Sequence, residues 1–211
     1  MEKRPGSEEE VSDERLLAEF LSGGASAFSF LVARHANDLH QFVGRFLQNS
    51  AAAEDIVQET FIQVHQSAAG FDPGRRFRPW LFTIAANKAR DYLRSRMRKR
   101  EVPLAMNGGL SGSDETISYL DFTADEVDSP AEIIEAQEER AIVREVVSRM
   151  PSHLREVLVL GYYQRFPYRE IAEIIGIPLG TVKSRLHAAV SHFAAAYRRE
   201  TEVDEADDRM K

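Results

Sequence analysis

The strongest chemical signal in the chain is a row of arginines on one face of a predicted helix. Residues 74–100 read GRRFRPWLFTIAANKARDYLRSRMRKR. At about 100° per residue, apolar side chains collect on one face, and the opposite face holds Asn87, Arg90, Arg94 and Arg98. Guanidinium groups in a row suit a phosphate backbone, because each offers several donors in a fixed geometry. The pattern predicts a helix that lies along a nucleic acid.

A turn and several aromatic residues surround the start of this helix. Asp72, Pro73 and Gly74 are typical of a simple turn, and a turn-rich loop beside a cationic helix can offer a pocket to an unstacked base. Large aromatic side chains usually pack in the core, so that interpretation is favoured over base stacking, for Trp80 above all. The aromatic residues in question are Phe71, Phe77, Trp80 and Phe82.

Residues 168–190, YREIAEIIGIPLGTVKSRLHAAV, have the pattern of a helix-turn-helix. Gly176 allows the positive φ that such a turn requires, and Ala172 allows the two helices to approach closely. A second helix from about Leu179 would present an outward face that fits a major groove. That face comprises Gly180, Ser184, His187, Ala188 and Ser191, with Lys183 and Arg185 on its flanks. An ordinary corner between two helices remains the alternative.

Charge is divided along the chain, although the net charge is -7. Residues 71–100 contain ten Lys or Arg against two Asp or Glu, whereas residues 101–139 contain eleven acids and no base. Residues 151–199 are again basic, and residues 200–211 are acidic. Two basic blocks separated by an acidic segment indicate two domains that bind a polyanion on a tether.

Helical spacing of apolar residues recurs through both basic blocks, and no alternating strand pattern is found. We therefore predict an all-α fold with two small helical domains, residues 12–100 and 131–199. An acidic, flexible linker of residues 101–130 joins them, and residues 200–211 form an acidic tail. The chain after Glu200 is expected to be too acidic to pack. One helix is expected from about Pro79 to about Met97, and another from Ser152 to about Tyr163.

Several classes of protein are disfavoured by what the sequence lacks. The chain contains no cysteine, which excludes disulfides, thiolate zinc sites and cysteine nucleophiles. A metal site built from Glu54, Asp55 and Glu59 lacks further ligands, so we expect no metal and no other cofactor. An enzyme is disfavoured because no nucleophile and base pair or phosphate loop is present. No apolar run would span a membrane and no signal peptide is evident, so we expect a cytoplasmic protein.

Four motifs in order resemble the sigma-70 superfamily of bacterial RNA polymerase initiation factors, in its extracytoplasmic-function group. The motifs are RHANDLHQFVGRFL, AEDIVQETFIQV, FDPGRRFRPWLFTIAANKARDYLR and LREVLVLGYYQRFPYREIAEIIGIPLGTVKSRLHAA. The resemblance covers nearly the whole chain. It implies a σ2 domain over residues 12–100, a σ4 domain over residues 131–199, and a sigma factor that brings core RNA polymerase to promoters and helps to open the -10 region.

The resemblance also implies roles for individual residues. Asp55, Gln58 and Glu59 would contact the clamp helices of the polymerase β′ subunit, although a solvated acidic helix face is the alternative. The helix from about Leu154 would meet the β flap. The -10 element of promoter DNA would be bound by Phe71, Asp72, Arg75, Arg76, Asn87, Arg90, Arg94 and Arg98. The -35 element would be read by Lys183, Ser184, Arg185 and His187.

One departure from the family concerns the recognition helix. Family members commonly carry further basic residues after the KSRLH stretch, whereas this chain has Ala188, Ala189 and Val190. We therefore expect weak readout of -35 DNA. An anti-sigma factor is a further partner that the family implies. A stand-alone helix-turn-helix regulator is the alternative function, and it predicts a dimer on a palindromic site.

Overall fold

Every regular element in the described part of the chain is helical, which confirms the all-α prediction. The computed structural model describes residues 11–101 and 130–208. The first range contains α1 (Asp13–Leu21), α2 (Ala25–Leu47), α3 (Ser50–Ser67), a 3-10 turn (Ala68–Gly70) and α4 (Phe77–Glu101). The second contains α5 (Pro130–Arg149), α6 (Ser152–Leu158), a π-helical turn (Val159–Tyr163), α7 (Tyr168–Ile175) and α8 (Leu179–Asp208). Nearly all of the predicted linker lies outside these ranges.

The first domain is built on the hairpin of α2 and α3, against which α4 packs. Apolar residues at helical spacing give each helix one buried face, and Phe42, Phe46 and Phe82 are fully enclosed where these faces meet. Helix α1 is fastened to α2 through Asp13, whose carboxylate contacts Arg34 Nη1 at 2.6 Å and His35 Nε2 at 2.8 Å. These contacts give the domain a closed helical core.

Helix α4 begins two residues before the predicted start at Pro79 and ends at Glu101, four residues after the predicted end. The backbone N–H of Phe77 donates to Glu14 Oε1 of α1 at 2.9 Å. A free N–H in the first turn of a helix needs an acceptor, and here a distant side chain supplies it. Sequence spacing alone carries no sign of such a tertiary cap.

The second domain contains the predicted helix-turn-helix. Helix α7 ends at Ile175 and is capped by Gly176, which has φ +73° and therefore uses the left-handed conformation that the sequence predicts for it. Ile171, Ile174 and Val182 are buried between the two helices. The predicted helix from Ser152 to Tyr163 is present over the predicted span, as α6 up to Leu158 and then without a break as the π-helical turn up to Tyr163.

Helix α8 does not stop at residue 199. It continues to Asp208, and Glu200 accepts a hydrogen bond from Arg149 Nη1 of α5 at 2.6 Å. Glu200, the first residue of the predicted acidic tail, therefore packs on α5, where a basic partner compensates its charge.

The two domains pack directly against each other, a contact that the sequence analysis did not foresee. Phe82 of α4 and Phe166 of the second domain are both buried, and their ring centroids lie 4.9 Å apart. Arg78 stacks on both rings, with its Cζ atom 4.2 Å from the Phe166 centroid and 5.0 Å from the Phe82 centroid. The contact therefore joins apolar burial to a cation–π interaction.

Gln164 completes this contact with hydrogen bonds to two elements of the first domain. Its carbonyl and its side-chain Oε1 each accept from the Arg78 guanidinium at 3.1 Å. Its Nε2 donates to the backbone oxygen of Asp38 in α2, also at 3.1 Å. Because Gln164 is buried, these bonds satisfy polar atoms that the packed domains take out of water.

A buried carboxylate, that of Glu156 in α6, lies at the edge of the same contact. Only 4% of its side chain is exposed, and its Oε1 lies 3.6 Å from Arg90 Nε, too far for a hydrogen bond. Burial raises the pKa of Glu156 from 4.5 to about 7, and the charges of Arg90 and Arg185 offset only part of that effect. The carboxylate therefore loses its proton near neutral pH.

The turn between α7 and α8 can be tested with two glycines. Gly176→Ala forces an alanine into a left-handed conformation and should lower the unfolding free energy by about 1 kcal/mol. Gly180→Ala, in the helical first turn of α8 with open space around it, is the matched control and should raise stability by about 0.5 kcal/mol. Urea unfolding followed by circular dichroism measures both, and equal effects would contradict the role of Gly176.

The buried carboxylate predicts a pH-dependent stability. The unfolded chain ionises Glu156 near pH 4.5, whereas the folded chain keeps this proton until about pH 7, so the stability that it contributes is lost as pH rises between these values. Glu156→Gln should leave the urea midpoint unchanged at pH 4 and raise it at pH 8, where the gain is at most roughly 3 kcal/mol. Glu173→Gln, at an exposed position on α7, is the control and should have no such pH-dependent effect. A constant difference at both pH values would refute the assignment.

Candidate nucleic-acid and polymerase interfaces

The arginine face of α4 divides into a part that is exposed to solvent and a part that contacts the second domain. Asn87 and Arg98 are exposed, and Arg94, with 69% of its side chain exposed, pairs with Asp91 on its own helix. Arg90 is 27% exposed, and its Nη1 donates to the carbonyl of Ile175 at 2.9 Å. The predicted face is therefore formed, but its central arginine contacts the second domain.

The loop before α4 is a compact turn with two exposed arginines. Asp72 Oδ1 accepts from the backbone N–H of Gly74 at 2.9 Å, and its backbone oxygen accepts from Arg75 N at 3.0 Å. This geometry confirms the predicted turn. Arg75 and Arg76 project outward, and Arg76 Nη1 donates to Glu170 Oε1 of α7 at 2.9 Å. The Asp72 carboxylate is used within the loop, where it fixes the backbone.

The aromatic residues around this loop separate into two groups. Phe77 and Phe82 are fully buried, which confirms the core interpretation for them. Phe71 and Trp80 are half-buried and pack on each other with ring centroids 4.9 Å apart. The loop and the helix therefore bring a partly open aromatic pair beside Arg75.

The acidic face of α3 presents Asp55, Gln58 and Glu59 to solvent, as the sequence predicts. Glu59 Oε2 accepts from Lys88 Nζ of α4 at 3.2 Å, and Asp55 and Glu59 line an open groove between the two helices. Ile62, one turn further along, is 57% exposed and was missed. Ile62 lies three residues after Glu59 and four after Gln58, and residues at these spacings share one face of a helix. This spacing could have predicted its position on the acidic face.

The residues of α8 that are predicted to read the -35 element differ in their exposure to solvent. Lys183, Ser184 and His187 are exposed, whereas Arg185 is half-buried and its charge acts on the Glu156 carboxylate. Ala188 and Val190 are exposed beside them, while Ala189 is buried. The outward face is formed, but only one of its two predicted cations points freely outward.

Within residues 11–101 and 130–208, no cluster of His, Asp and Glu is arranged to hold a metal ion. Among the helices of that same part of the chain, none combines the length and the apolarity that crossing a membrane requires. The described residues therefore offer three candidate binding surfaces: a cationic helix with a turn at its start, an acidic groove and a helix-turn-helix.

Two family models match the two domains. The model described as sigma-70 region 2 matches residues 31–99, and the model described as sigma-70, region 4 matches residues 140–193. The chain is 31% identical to the ECF RNA polymerase sigma factor SigW of Bacillus subtilis, in a match that covers 84% of this chain and 92% of that protein.

Solved structures agree with these matches. The chain is similar to CnrH, whose structure is a complex with the cytosolic domain of CnrY, with a TM-score of 0.61 and 28% identity over 87% of this chain and 95% of that one. The sigma factor RpoE of Bartonella quintana, solved with the anti-sigma factor NepR, has the same fold with a TM-score of 0.63 and 21% identity over 81% of this chain and 96% of that one.

These similarities support a transcription initiation factor rather than a stand-alone regulator, and the family is not one of enzymes. With both domain models in order and a curated relative matched over most of its length, this chain belongs to the sigma-70 family, as an extracytoplasmic-function RNA polymerase sigma factor.

Proposed function

We propose that this sigma factor divides promoter recognition between its two domains. Residues 12–100 bind core polymerase and open the -10 element, and residues 131–199 read the -35 element. The observation that carries this proposal is the formed cationic face of α4, which begins beside a structured loop and an open aromatic pair. Run-off transcription with core polymerase tests it directly, and a protein that never starts transcription would refute it.

The acidic groove of α3 is the proposed contact for the β′ clamp helices. Asp55, Gln58 and Glu59 are exposed in successive turns, so one partner helix can meet all three. Their side chains add little to the fold, since all three are exposed and the ion pair of Glu59 with Lys88 is open to solvent on the glutamate side. Ile62 adds an apolar point to the same face, which suits a helix that carries both basic and apolar residues.

The -10 element is proposed to bind along α4 and its preceding loop. Arg94 and Arg98 would hold phosphates, because they are exposed and lie on one face. Arg75, Arg76 and the half-buried Phe71 would surround a base that leaves the stack, together with Asn87, which projects from the same helix. Asp72 would act indirectly by fixing the loop backbone.

Readout of the -35 element is proposed to be weak on its own. Lys183 is the only one of the two predicted cations on this face of α8 that is well exposed, with Ser184 and His187 as polar contacts. Polymerase would compensate by holding both domains near their targets, which raises the effective concentration of the second contact once the first is made. The free protein should therefore bind promoter DNA poorly.

The same proposal includes an anti-sigma factor as a partner, a cytoplasmic location and a contact with the β flap. CnrH is solved in complex with the cytosolic domain of CnrY, and the RpoE of Bartonella quintana in complex with the anti-sigma factor NepR. These complexes support an anti-sigma factor as a partner of this chain. A sigma factor acts where RNA polymerase and DNA are found, which supports a cytoplasmic location. Helix α6, which contains Leu154, is the proposed contact for the β flap.

Charge reversal on α3 should separate polymerase binding from folding. Asp55→Lys with Glu59→Lys is expected to abolish co-elution with core polymerase in gel filtration, because like charges would replace complementary ones. The helical circular dichroism spectrum and urea midpoint should change little, since both positions are exposed. Glu19→Lys with Glu202→Lys makes the same change in net charge at exposed sites on α1 and α8. Unchanged co-elution of the α3 variant would remove these residues from the interface.

Removal of two arginines from α4 should weaken DNA binding by a salt-dependent amount. Arg94→Ala with Arg98→Ala is expected to lower the affinity of the polymerase holoenzyme for promoter DNA and to reduce the salt slope by between about 1 and 2. Filter binding over a range of salt concentrations measures this slope. Arg15→Ala with Arg198→Ala, at exposed sites on α1 and α8, should leave it unchanged. Equal slopes for both variants would contradict phosphate contacts on α4.

A further inference from the structure

Arg165, in the turn before α7, has a backbone conformation that glycine normally supplies. Its φ is +54°, in the left-handed region, where a Cβ atom crowds the backbone. The backbone N–H of Gln164 donates to the carbonyl of Val159 at 3.0 Å, and that of Phe166 donates to the carbonyl of Leu160 at 3.1 Å. These bonds end the helical turn around Arg165, and helix ends of this kind favour glycine at the left-handed residue.

Gln48, which follows α2, adopts the same conformation and shows how a side chain can offset its cost. Its φ is +55°, and its Nε2 donates to the carbonyl of Arg45 at 2.6 Å. Arg165 is exposed and forms no hydrogen bond or ion pair with residues 11–101 or 130–208. Contacts within those ranges therefore do not explain an arginine at this position.

A second exposed cation, Arg169, follows four residues later in the first turn of α7. It too lacks an ion pair within residues 11–101 and 130–208. Glu170, its neighbour in sequence, already pairs with Arg76 at 2.9 Å, and Glu173 lies one turn further along the helix. The turn and the start of α7 therefore present two positive charges to solvent. We call Arg165 and Arg169 the cationic turn.

The cationic turn lies where a helix-turn-helix meets the DNA backbone. In such motifs the second helix enters the major groove and the first helix crosses the backbone beside it. With α8 in the groove, cations before and at the start of α7 can reach the phosphates that border the groove. On α8 itself, Lys183 is exposed and Arg185 is half-buried. Phosphate contacts from the cationic turn would thus add affinity that α8 lacks.

We propose that Arg165 contacts a backbone phosphate of duplex DNA at the -35 element, with Arg169 beside it, and supplies affinity that does not depend on base sequence. This inference rests on the proposed role of the second domain at the -35 element. A phosphate contact accounts for a charged residue in a conformation that favours glycine, because the cost to the fold is offset by binding.

The first experiment separates charge from backbone conformation at position 165. Arg165→Gly removes the charge and relieves the backbone, so the urea midpoint should rise by about 0.5 M. Arg165→Gln removes the charge alone and should leave the midpoint within about 0.2 M of the original.

Both variants should weaken binding of the polymerase holoenzyme to DNA by the same amount. The probe is a duplex promoter fragment recovered by mapping the start sites of this sigma factor. We expect about a fivefold loss of affinity and a salt slope reduced by about 1, as one lost phosphate contact predicts. Filter binding over a range of salt concentrations measures both quantities.

Gln48→Gly is the matched control, because it relieves the same backbone conformation in the first domain without changing charge. It should leave the affinity and the salt slope unchanged, and Arg165→Lys should retain most of the affinity. Weaker binding by Arg165→Gly but not by Arg165→Gln would overturn the proposal, and so would unchanged binding by both. A lowered urea midpoint for Arg165→Gly would also overturn it, since the arginine would then support the fold.

The second experiment locates the contact on the DNA. Promoter fragments carry one neutral methylphosphonate at a time along the backbone of the -35 element. At least one position should weaken binding of the original holoenzyme about fivefold, yet leave binding of Arg165→Gln unchanged, because the charge that meets this phosphate is already absent. Equal sensitivity of both proteins at every position would overturn the proposal.

Base readout gives a further check. Scrambling the -35 sequence should lower the affinity of the original protein and of Arg165→Gln by the same factor, since a phosphate contact reads no bases. A smaller factor for Arg165→Gln would contradict the proposal, because Arg165 would then take part in sequence recognition. A protein that directs no transcription with core polymerase would instead refute the proposed function, as no start site would be recovered.

Discussion

Helix α4 packs in the core of the first domain, contacts the second domain and exposes a cationic face. The arrangement of the two domains depends on these three contacts. One face closes the core of the first domain through Phe82, whose ring also meets Phe166 of the second domain. The opposite face carries Asn87 and the arginines that suit a phosphate backbone. Because α4 packs against several helices on more than one face, it has little freedom to move by itself. A change in the arrangement of the domains must therefore displace a neighbouring element rather than α4.

The domain contact differs in character from the domain cores. The cores are apolar and enclosed, whereas the contact mixes the Phe82 and Phe166 rings with buried polar groups, Gln164 and Glu156. Interfaces of this mixed kind are typical of surfaces that form and separate, because each buried polar group can return to water at little cost. The raised pKa of Glu156 has the same origin, since the carboxylate is desolvated by packing and only partly compensated by Arg90.

Sequence reasoning reached the helices, the two domains and the turn at Gly176, because these depend on local spacing and on backbone conformations that one residue type favours. It also predicted that Asn87, Arg94 and Lys183 lie on outward faces, and all three are exposed. It could not foresee that Arg90 turns to the Ile175 carbonyl, since that bond joins residues 85 positions apart. The early start of α4 was missed for the same reason, because Glu14 supplies the cap from another helix.

The length of helix α8 couples its two ends mechanically. It is one continuous rod of 30 residues, which is about 45 Å at the usual rise per residue. Lys183 and His187 stand near one end, while the far half rests on α5 through the Arg149 and Glu200 pair. In a rigid helix, a small tilt at one end displaces the other end. A partner that binds α5 would therefore set the angle at which the recognition residues approach a DNA groove.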